Sequence, residues 1–233
     1  MPKHILVANR GEIAIRILRT AADLGIETSA VFATDDEHAL HTRHADHVHC
    51  LEAEGVPAYL DLAKLLDVAG SNNCDAIHPG YGFLSESPAF AAECEGAGFT
   101  FIGPTSETLK LFGDKASARS LAESCNIPIL AGISRAITLA EAEEFFNELV
   151  KGPVMLKAIA GGGGRGMRPV HTKAELKDAF ARATSEAKQA FGSGELYVEE
   201  LLPYARHIEV QIIGDGTGKV SHLWDRECSL QRQ

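Results

Sequence analysis

Four consecutive glycines, residues 161–164, stand between Lys157 and Arg165 in the stretch LKAIAGGGGRGM. Because glycine has no Cβ, successive backbone N–H groups can close around a phosphate oxygen. The two basic side chains supply the positive charge that such a ligand requires. Residues 154–157 and 168–170 predict two paired strands, so the glycines would form the tip of a β-hairpin. A flexible linker is the alternative, but linkers normally join domains, and we therefore favour phosphate contact.

Two further loops follow predicted strands. NRGEIAIRI begins at Asn9, where dinucleotide-binding folds place a glycine loop, but its single glycine, Gly11, argues against a nicotinamide cofactor. HPGYGFLSE, residues 78–86, lies between a strand and a helix, where open α/β sheets collect ligands. For this second loop, a ligand-shaped turn and a tight turn around a buried tyrosine are equal alternatives.

Two polar segments carry weaker signals. FGDKASAR places Asp114 at a helix N-cap and Lys115 in the first turn, where a cation is unfavourable. That position indicates either a nearby anion or an exposed lysine. His207, Glu209 and Gln211 alternate with apolar residues along a predicted strand. Their alternation suits the wall of a site and the solvated face of a sheet equally well.

A group of histidines raises the question of a metal site. The spacing of three of them predicts one helical face, but no cysteine pair or carboxylate framework accompanies them. We therefore expect a solvated face and predict no metal ligand. The group comprises His38, His41, His44, His47 and His49, and the three are His41, His44 and His47.

Composition bounds the class of protein. The 233 residues, 45% of them hydrophobic, suffice for a core and one or two domains. The net charge of −10 argues against a nucleic-acid partner. Five cysteines without a C-x-x-C pair predict reduced thiols. The N-terminal apolar run is too short for a membrane span or signal peptide. We expect a cytoplasmic protein, or a mitochondrial matrix protein whose transit peptide has been removed.

The order of predicted elements divides the chain near Asp114. Strands and helices alternate before it, which predicts a parallel α/β sheet. The predicted strands there are residues 4–8, 28–32, 75–77 and 100–102, and the helices are 12–24, 59–69 and 88–97. After Asp114 the predicted helices are 115–124, 139–149 and 172–191, the last with Thr172 as N-cap. The predicted strands of this part are 154–157, 168–170, 195–199, 207–214 and 219–224.

Eight ordered segments resemble the biotin carboxylases, including the biotin carboxylase parts of acyl-CoA carboxylases, pyruvate carboxylase and urea carboxylase. The segments are ILVANRGEIAIRI, AIHPGYGFLSE, FIGP, GDKASAR, LKAIAGGGGRGM, YVEELL, RHIEVQ and DRECSLQR. The resemblance implies an α/β fold with a doubly wound, Rossmann-like parallel-sheet domain, residues 1–113. A partial ATP-grasp domain, residues 114–233, would follow, with an α+β lid at about 132–203 and the start of the core at 204–233.

The resemblance also implies an activity and partners. Family members use ATP with Mg²⁺ to phosphorylate bicarbonate, and the carboxyphosphate then carboxylates biotin. The implied partners are ATP, bicarbonate, a biotin carrier domain or protein, a carboxyltransferase and a second copy of the chain. Neither nucleic acid nor a membrane is implied.

The family's nucleotide-binding residues carry over to eleven positions. Lys157 and Lys115 match phosphate-contacting lysines, and Met167 matches a residue that packs on adenine. The segment that reads the adenine edge, largely through backbone groups, would be Glu199, Glu200, Leu201 and Leu202. The remaining matches are the lid glycines Gly163 and Gly164 and the nucleotide-site residues His207 and Gln231.

Two departures from the family bear on activity. The family's Mg²⁺ ligands and its bicarbonate- and biotin-handling arginine match positions beyond residue 233, so no catalytic residue or metal ligand is assigned here. We therefore expect this portion not to turn over alone. Gln233 stands where the family has arginine.

Two alternatives stay open at this point. The first is another ATP-grasp ligase, such as a carbamoyl-phosphate synthetase. The second is a non-catalytic nucleotide-binding or subunit-interaction module. HPGYGFLSE and DRECSLQR favour biotin carboxylase over the other ligase.

Overall fold

The structure is a computed structural model that describes residues 1–149, 152–160 and 166–230. The chain divides into two compact units, Met1–Ala118 and Arg119–Gln233. In the part of the chain that is described, no helix is both long and apolar enough to cross a membrane.

The first unit is built on a five-stranded sheet in the order β3-β2-β1-β4-β5, and every pair of neighbouring strands is parallel. Its strands are β1 (His4–Val7), β2 (Glu27–Phe32), β3 (His47–Cys50), β4 (Ala76–His78) and β5 (Thr100–Phe101). Its helices are α1 (Gly11–Asp23), α2 (Gly55–Ala58), α3 (Leu62–Ser71), α4 (Pro88–Gly96) and α5 (Ser106–Gly113), with short 3₁₀ turns at Thr34–Asp36 and Leu40–Arg43.

Helices cover both faces of this parallel sheet, which explains why β1 is a continuous apolar run. Ile5 and Val7 point to one face and pack with the buried stripe of α1, which includes Leu18. Leu6 points to the other face and packs against residues of α3 and α4 such as Leu65 and Phe90. The predicted doubly wound α/β class is therefore confirmed for this unit.

One predicted helix boundary in this unit is wrong. The helix predicted to begin at Tyr59 begins at Leu62, and the short α2 precedes it. Asp61 is the N-cap of α3, and its carboxylate accepts a hydrogen bond from the Lys64 N–H at 3.0 Å. Tyr59 lies in the turn that connects α2 to α3 and is fully buried. Its hydroxyl makes hydrogen bonds within a polar cluster of this unit.

The second unit contains two separate antiparallel sheets. The four-stranded sheet has the order β6-β9-β7-β8, and β10 and β11 form a two-stranded hairpin. The strands are β6 (Gly132–Ile133), β7 (Val154–Ala158), β8 (Met167–Val170), β9 (Leu196–Glu200), β10 (Ile208–Gly214) and β11 (Val220–Glu227). The helices are α6 (Lys115–Ser124), which runs across the division between the units, α7 (Leu139–Glu148) and α8 (Lys173–Phe191).

Two helices, α7 and α8, cover one face of the four-stranded sheet. Leu156 and Val198 lie on that face and pack with Ala142 of α7 and Leu176 of α8. A full capping box at Thr138 and Glu141 fixes the start of α7. Thr172 occupies the N-cap position of α8 as predicted.

The Thr172 side chain makes no capping hydrogen bond. Among the residues described, no first-turn N–H of α8 donates to it. The Glu175 carboxylate accepts from the backbone N–H of His171 at 3.1 Å, which ties the first turn of α8 to the residue before the N-cap.

The β10–β11 hairpin is exposed along most of its length. Its pairing register shifts between Val210 and Ile212, so the strict alternation predicted for His207–Gln211 does not extend along the strand. Strand β11 runs three residues beyond the predicted end at Trp224. Large apolar side chains remain exposed on it, and the Trp224 residue is 76% exposed.

Candidate functional site

The four-stranded sheet has a second face opposite α7 and α8, which we call the open face because Met155 and Lys157 are only half-buried on it, although Tyr197 on the same face is buried. Along β7, the buried residues Val154, Leu156 and Ala158 alternate with the half-buried Met155 and Lys157. Because side chains alternate across a strand, Lys157 points away from the helices. The pattern explains how an apolar strand can present a lysine beside the predicted glycine tip.

A charge pair lies on this open face. Lys157 Nζ donates to Glu199 Oε1, and these two side chains are only 23% and 13% exposed respectively. The strand register makes this contact, because Lys157 lies opposite Tyr197 and Glu199 lies two residues further along β9. Burial, followed by the charge of Glu199, raises the pKa of Tyr197 to about 12, so this phenol stays neutral.

Met167 lies directly across from Lys157 on the neighbouring strand β8 and is 45% exposed. The structure therefore brings three predicted residues, Lys157, Met167 and Glu199, onto one face. A cation, a thioether and a carboxylate on a half-open sheet face offer a charged contact and an apolar surface side by side. That combination suits a ligand with an anionic end and a flat apolar end.

The segment after β9 continues the sheet through its backbone. The Glu200 N–H donates to the Ala131 carbonyl at 2.8 Å, and the Leu201 N–H donates to the Pro153 carbonyl at 2.9 Å. Leu202 is 48% exposed. Because two of the N–H groups are already engaged, backbone contact with an adenine would fall to the other groups of this segment.

Gly166 lets the two strands of the β7–β8 hairpin approach each other closely. The Ala158 N–H donates to the Gly166 carbonyl at 2.8 Å, and Gly166 has φ +70°. A Cβ at Gly166 would lie 2.8 Å from the Cβ of Ala158, so any other residue would clash there. The predicted hairpin of residues 154–157 and 168–170 is confirmed. Gly163, Gly164 and Gln231 lie outside the described residues.

His207 precedes β10 on the exposed hairpin. Its N–H donates to Ser229 Oγ at 2.7 Å, and its carbonyl accepts from the Cys228 N–H at 2.7 Å. Its imidazole Nε2 lies 3.4 Å from the Glu209 carboxylate, which also pairs with Arg226 across the hairpin at 2.7 Å. Two hydrogen bonds therefore hold the backbone of His207, and its imidazole lies beside the Glu209 carboxylate.

Lys115 belongs to the first unit and is the first residue of α6. The predicted N-cap is confirmed, since Asp114 Oδ1 accepts from the Ser117 N–H at 2.7 Å. The hydrogen bonds with Ser117 lower the pKa of Asp114. Lys115 is exposed, as expected for a lysine in an electrostatically unfavourable first turn.

The two loops at the carboxyl ends of β1 and β4 meet. Asn9 Nδ2 donates to the carbonyls of Pro79 and Tyr81 at 2.7 and 2.8 Å. Gly80 has φ +67°, and a Cβ there would lie 2.6 Å from Asn9 Nδ2. Burial lowers the pKa of His78, and its neutral Nδ1 accepts from the Gly80 N–H at 3.1 Å. HPGYGFLSE is therefore a shaped loop tied to the first strand, and its tyrosine, Tyr81, is exposed rather than buried.

Behind these loops lies a polar cluster that sequence reasoning missed. Arg10 Nη2 lies 2.7 Å from Asp36 Oδ1, and the buried Tyr59 hydroxyl donates to Asp36 Oδ2 at 2.8 Å. The Ala33 N–H donates to the same hydroxyl at 3.1 Å. Arg10, Asp36 and Tyr59 are more than twenty positions apart in sequence, so only the fold brings their side chains together. A cavity of about 380 Å³ adjoins Asn9, Arg10 and Gly82.

The helical face predicted for three histidines is wrong. His41 lies in a 3₁₀ turn, is fully buried and donates through Nε2 to the Val31 carbonyl at 3.0 Å. His47 lies on strand β3. The alternation His-Val-His-Cys was the available signal for a strand, and it places His47 and His49 on the same face.

A parallel α/β sheet in one unit, and in the other an antiparallel sheet with a lysine on the face opposite its helices, resemble the ATP-grasp ligases. Residues 1–109 match the family described as biotin carboxylase, N-terminal domain. Residues 114–233 match the family described as carbamoyl-phosphate synthase L chain, ATP binding domain. Residues 1–109 therefore belong to the biotin carboxylase N-terminal domain family, and the larger part of the chain belongs to the family of this ATP-binding domain.

Curated relatives agree with this assignment. The chain is 50% identical to the pyruvate carboxylase of Bacillus subtilis and 47% identical to the mitochondrial pyruvate carboxylase of Homo sapiens. Both alignments cover 99% of this chain and 20% of the relative. The chain thus spans about a fifth of the length of these relatives.

Solved structures agree as well. One is the biotin carboxylase domain dimer of the Hydrogenobacter thermophilus 2-oxoglutarate carboxylase, in complex with MgADP, ADP and bicarbonate. It has a TM-score of 0.93 at 41% identity and covers all of this chain and 51% of its own. A second, the Campylobacter jejuni biotin carboxylase in a β,γ-ATP complex, has a TM-score of 0.94 at 40% identity, covering all of this chain and 52% of its own. The predicted family and fold class are confirmed.

Proposed function

We propose that this chain is part of a biotin carboxylase that uses ATP and Mg²⁺ to activate bicarbonate as carboxyphosphate and then carboxylates biotin. The observation that carries the proposal is the open sheet face with Lys157, Met167 and Glu199, in a chain of this family. The solved relative with MgADP and bicarbonate supports the same ligands. Residues 1–113 would form the N-terminal domain and residues 114–233 part of the ATP-grasp domain.

The residues proposed to bind ATP keep the roles that the resemblance implies. Lys157 would exchange the Glu199 carboxylate for phosphate oxygens. Met167 would pack on the adenine. The full proposed set is Lys115, Lys157, Gly163, Gly164, Met167, Glu199, Glu200, Leu201, Leu202, His207 and Gln231. Phosphoryl transfer depends mainly on positioning and charge neutralisation, for which lysines and bare amides are suited.

Mg²⁺ is assigned to no described residue of this chain. Among residues 1–149, 152–160 and 166–230, the set of three His, Cys, Asp or Glu side chains close enough to share a metal ion is His4, Glu27 and His47. Two imidazoles do not suit Mg²⁺, which prefers oxygen ligands.

We also propose binding partners and a cellular compartment for this chain. The relatives named above are carboxylases, and one is a domain dimer, which supports a homodimer served by a biotin carrier and a carboxyltransferase. All five cysteines are free, which supports a reducing compartment such as the cytoplasm or the mitochondrial matrix. The matches do not favour the alternatives. Residues 1–109 match the biotin carboxylase N-terminal family, which separates this chain from other ATP-grasp ligases.

Calorimetric titration of MgATP into the purified chain tests the proposal. We expect saturable binding, and we expect Lys157→Ala to weaken it by about 1.5–3 kcal/mol, or roughly 10- to 150-fold, because a charge-assisted contact is lost. Lys177→Ala is the matched control, since Lys177 is an exposed lysine of α8 in the same unit. Unchanged affinity in Lys157→Ala would remove this lysine from the site. Absence of binding would favour the interaction module.

A further inference from the structure

Three polar side chains converge at the amino-terminal ends of the first three parallel strands. His4 of β1 lies opposite Glu27 of β2, and Ser29 of β2 lies opposite His47 of β3. Partners in adjacent strands point to the same face, and so do residues two apart along one strand. The register alone therefore gathers His4, Glu27 and His47 on one face of the sheet. None of them belongs to the proposed ATP site.

The distances within this group suit a shared cation. His47 Nε2 lies 2.8 Å from Glu27 Oε1, and His4 Nδ1 lies 4.0 Å from Glu27 Oε2. One ligand atom from each residue can be chosen so that all three lie within 4.8 Å of one another. Ligands held about 2.0–2.1 Å from a tetrahedral Zn²⁺ are separated by about 3.3 Å. The observed separations bracket that value, so small side-chain rotations would complete the geometry.

Outer hydrogen bonds orient the least mobile of the three groups. The His4 side chain is only 10% exposed. Its Nε2 is bonded to Ser29 Oγ at 2.9 Å, and the same hydroxyl contacts His49 Nε2 at 3.1 Å. With Nε2 engaged, Nδ1 is the ring nitrogen that faces Glu27. Metal-binding histidines typically have their second ring nitrogen fixed in this way.

The surroundings of His4 carry negative charge. Asp46 and Asp75 are each close enough to His4 to interact with it electrostatically. Both carboxylates are committed elsewhere: Asp46 accepts from Thr28 Oγ1 at 2.7 Å, and Asp75 accepts from the Lys3 N–H at 2.9 Å. They are therefore unsuited to act as ligands but attract a cation to the group.

We propose that His4, Glu27 and His47 bind a Zn²⁺ ion. Two imidazoles and one carboxylate are a donor set that zinc favours, and hard cations such as Mg²⁺ and Ca²⁺ favour oxygen instead. Three protein ligands leave a fourth position for water. A bound ion would join the beginnings of β1, β2 and β3 and so stabilise the folded first unit. The proposal departs from the solvated face expected from the histidine spacing, because it uses His47 as a ligand.

Zinc titration of the metal-stripped chain tests the proposal. ZnCl₂ is added to EDTA-treated, buffer-exchanged protein in a calorimeter, and CoCl₂ binding is followed by absorption of the tetrahedral ion. We expect one site in the wild type that is lost in His47→Gln and in Glu27→Gln, with affinity reduced more than about 100-fold. Loss of an outer hydrogen-bond partner alone costs about 10- to 100-fold, and a direct ligand should cost more.

His44→Gln and His38→Gln are the matched controls, because both histidines are exposed and lie outside the group. His47 and Glu27 are also exposed, so their variants should keep the wild-type unfolding temperature in EDTA. Zn²⁺ should raise that temperature for the wild type and both controls, and not for His47→Gln or Glu27→Gln. Zinc affinity that is unchanged in those two variants, or lost equally in the controls, would overturn the proposal. So would a wild-type chain that binds no zinc.

Discussion

The parallel sheet and the four-stranded sheet are buried in different ways, and the difference determines where each can bind a ligand. All four residues of β1 are buried, because helices cover both faces of the parallel sheet. Along β7, buried and half-buried residues alternate, because helices cover only one face. In β1 the polar side chains are therefore confined to His4 at the start of the strand and Asn9 just beyond its end. The second sheet carries Lys157 in the middle of a face.

Alanine substitutions of adjacent residues give the largest effects and test this comparison directly. In β1, Ile5→Ala and Leu6→Ala should each lower the free energy of unfolding by about 2–5 kcal/mol, since both side chains are buried. In β7, Leu156→Ala should cost a similar amount and Met155→Ala only about 1 kcal/mol. Urea denaturation measures all four. A Met155→Ala cost equal to that of Leu156→Ala would show that the face we call open is covered.

A second test compares a buried and an exposed tyrosine hydroxyl of the first unit. Tyr59→Phe should lower the free energy of unfolding by about 1–3 kcal/mol, because the Ala33 N–H and the Asp36 carboxylate lose a buried partner. Tyr81→Phe is the control, since the Tyr81 hydroxyl bonds to Glu12 at the surface and its loss should be near neutral. Thermal or urea unfolding measures both. Equal costs would contradict a structural role for the Tyr59 cluster.

The ion pair of Lys157 and Glu199 in the four-stranded sheet should affect ATP binding more than it affects the stability of the fold. Glu199→Gln removes the carboxylate that phosphates must displace from Lys157, so ATP affinity should rise by up to about 5-fold. That factor corresponds to the ~1 kcal/mol upper end for an ion pair with partial exposure. Calorimetry in low salt measures the change, which added salt should diminish. A fall in affinity would mean that the Glu199 carboxylate itself contacts the nucleotide.

The smallest effect concerns α7, which covers the face of the four-stranded sheet that carries Leu156 and Val198. The hydrogen bond from Arg135, followed by those from Thr138, lowers the pKa of Glu141 from 4.5 to about 2. A pKa lowered by folding stabilises the protein above the unfolded value and loses that contribution as the pH falls toward the folded value. The wild type should therefore lose its unfolding-temperature advantage over Glu141→Gln between pH 4.5 and about 2. Glu144→Gln, an exposed position of the same helix, serves as control, and an advantage that persists at pH 2 would contradict the assignment.

The elements predicted from periodicity were largely found. The strand of residues 154–157 and its partner 168–170 pair as expected, because alternation and the intervening glycines are local signals. The helix predicted at 59–69 begins only at Leu62, because Asp61 is its N-cap. The apolar residues on either side of Asp61 hid this signal in the sequence. Strand β3 was missed because His-Val-His-Cys lacks the usual apolar composition of a strand, although its alternation was visible.

The candidate site could be predicted in part. Lys157 was singled out by its place before the glycines, and the family resemblance supplied its partners. The ion pair of Lys157 with Glu199 was not predicted, because the two residues are forty-two positions apart and the register between β7 and β9 brings them together. The cluster of Arg10, Asp36 and Tyr59 was missed for the same reason. Contacts between distant segments are decided by packing and not by local pattern.

The exposed hairpin gives the chain a built-in optical reporter. Trp224 is the single tryptophan of the sequence, and it lies on β11 with 76% of its surface open. Its emission in the folded chain should resemble that of an indole in water. Any molecule or protein segment that covers the hairpin should shift that emission to shorter wavelength, without contributions from either of the other two sheets. Fluorescence of the native chain can thus follow events at this one hairpin without an added label.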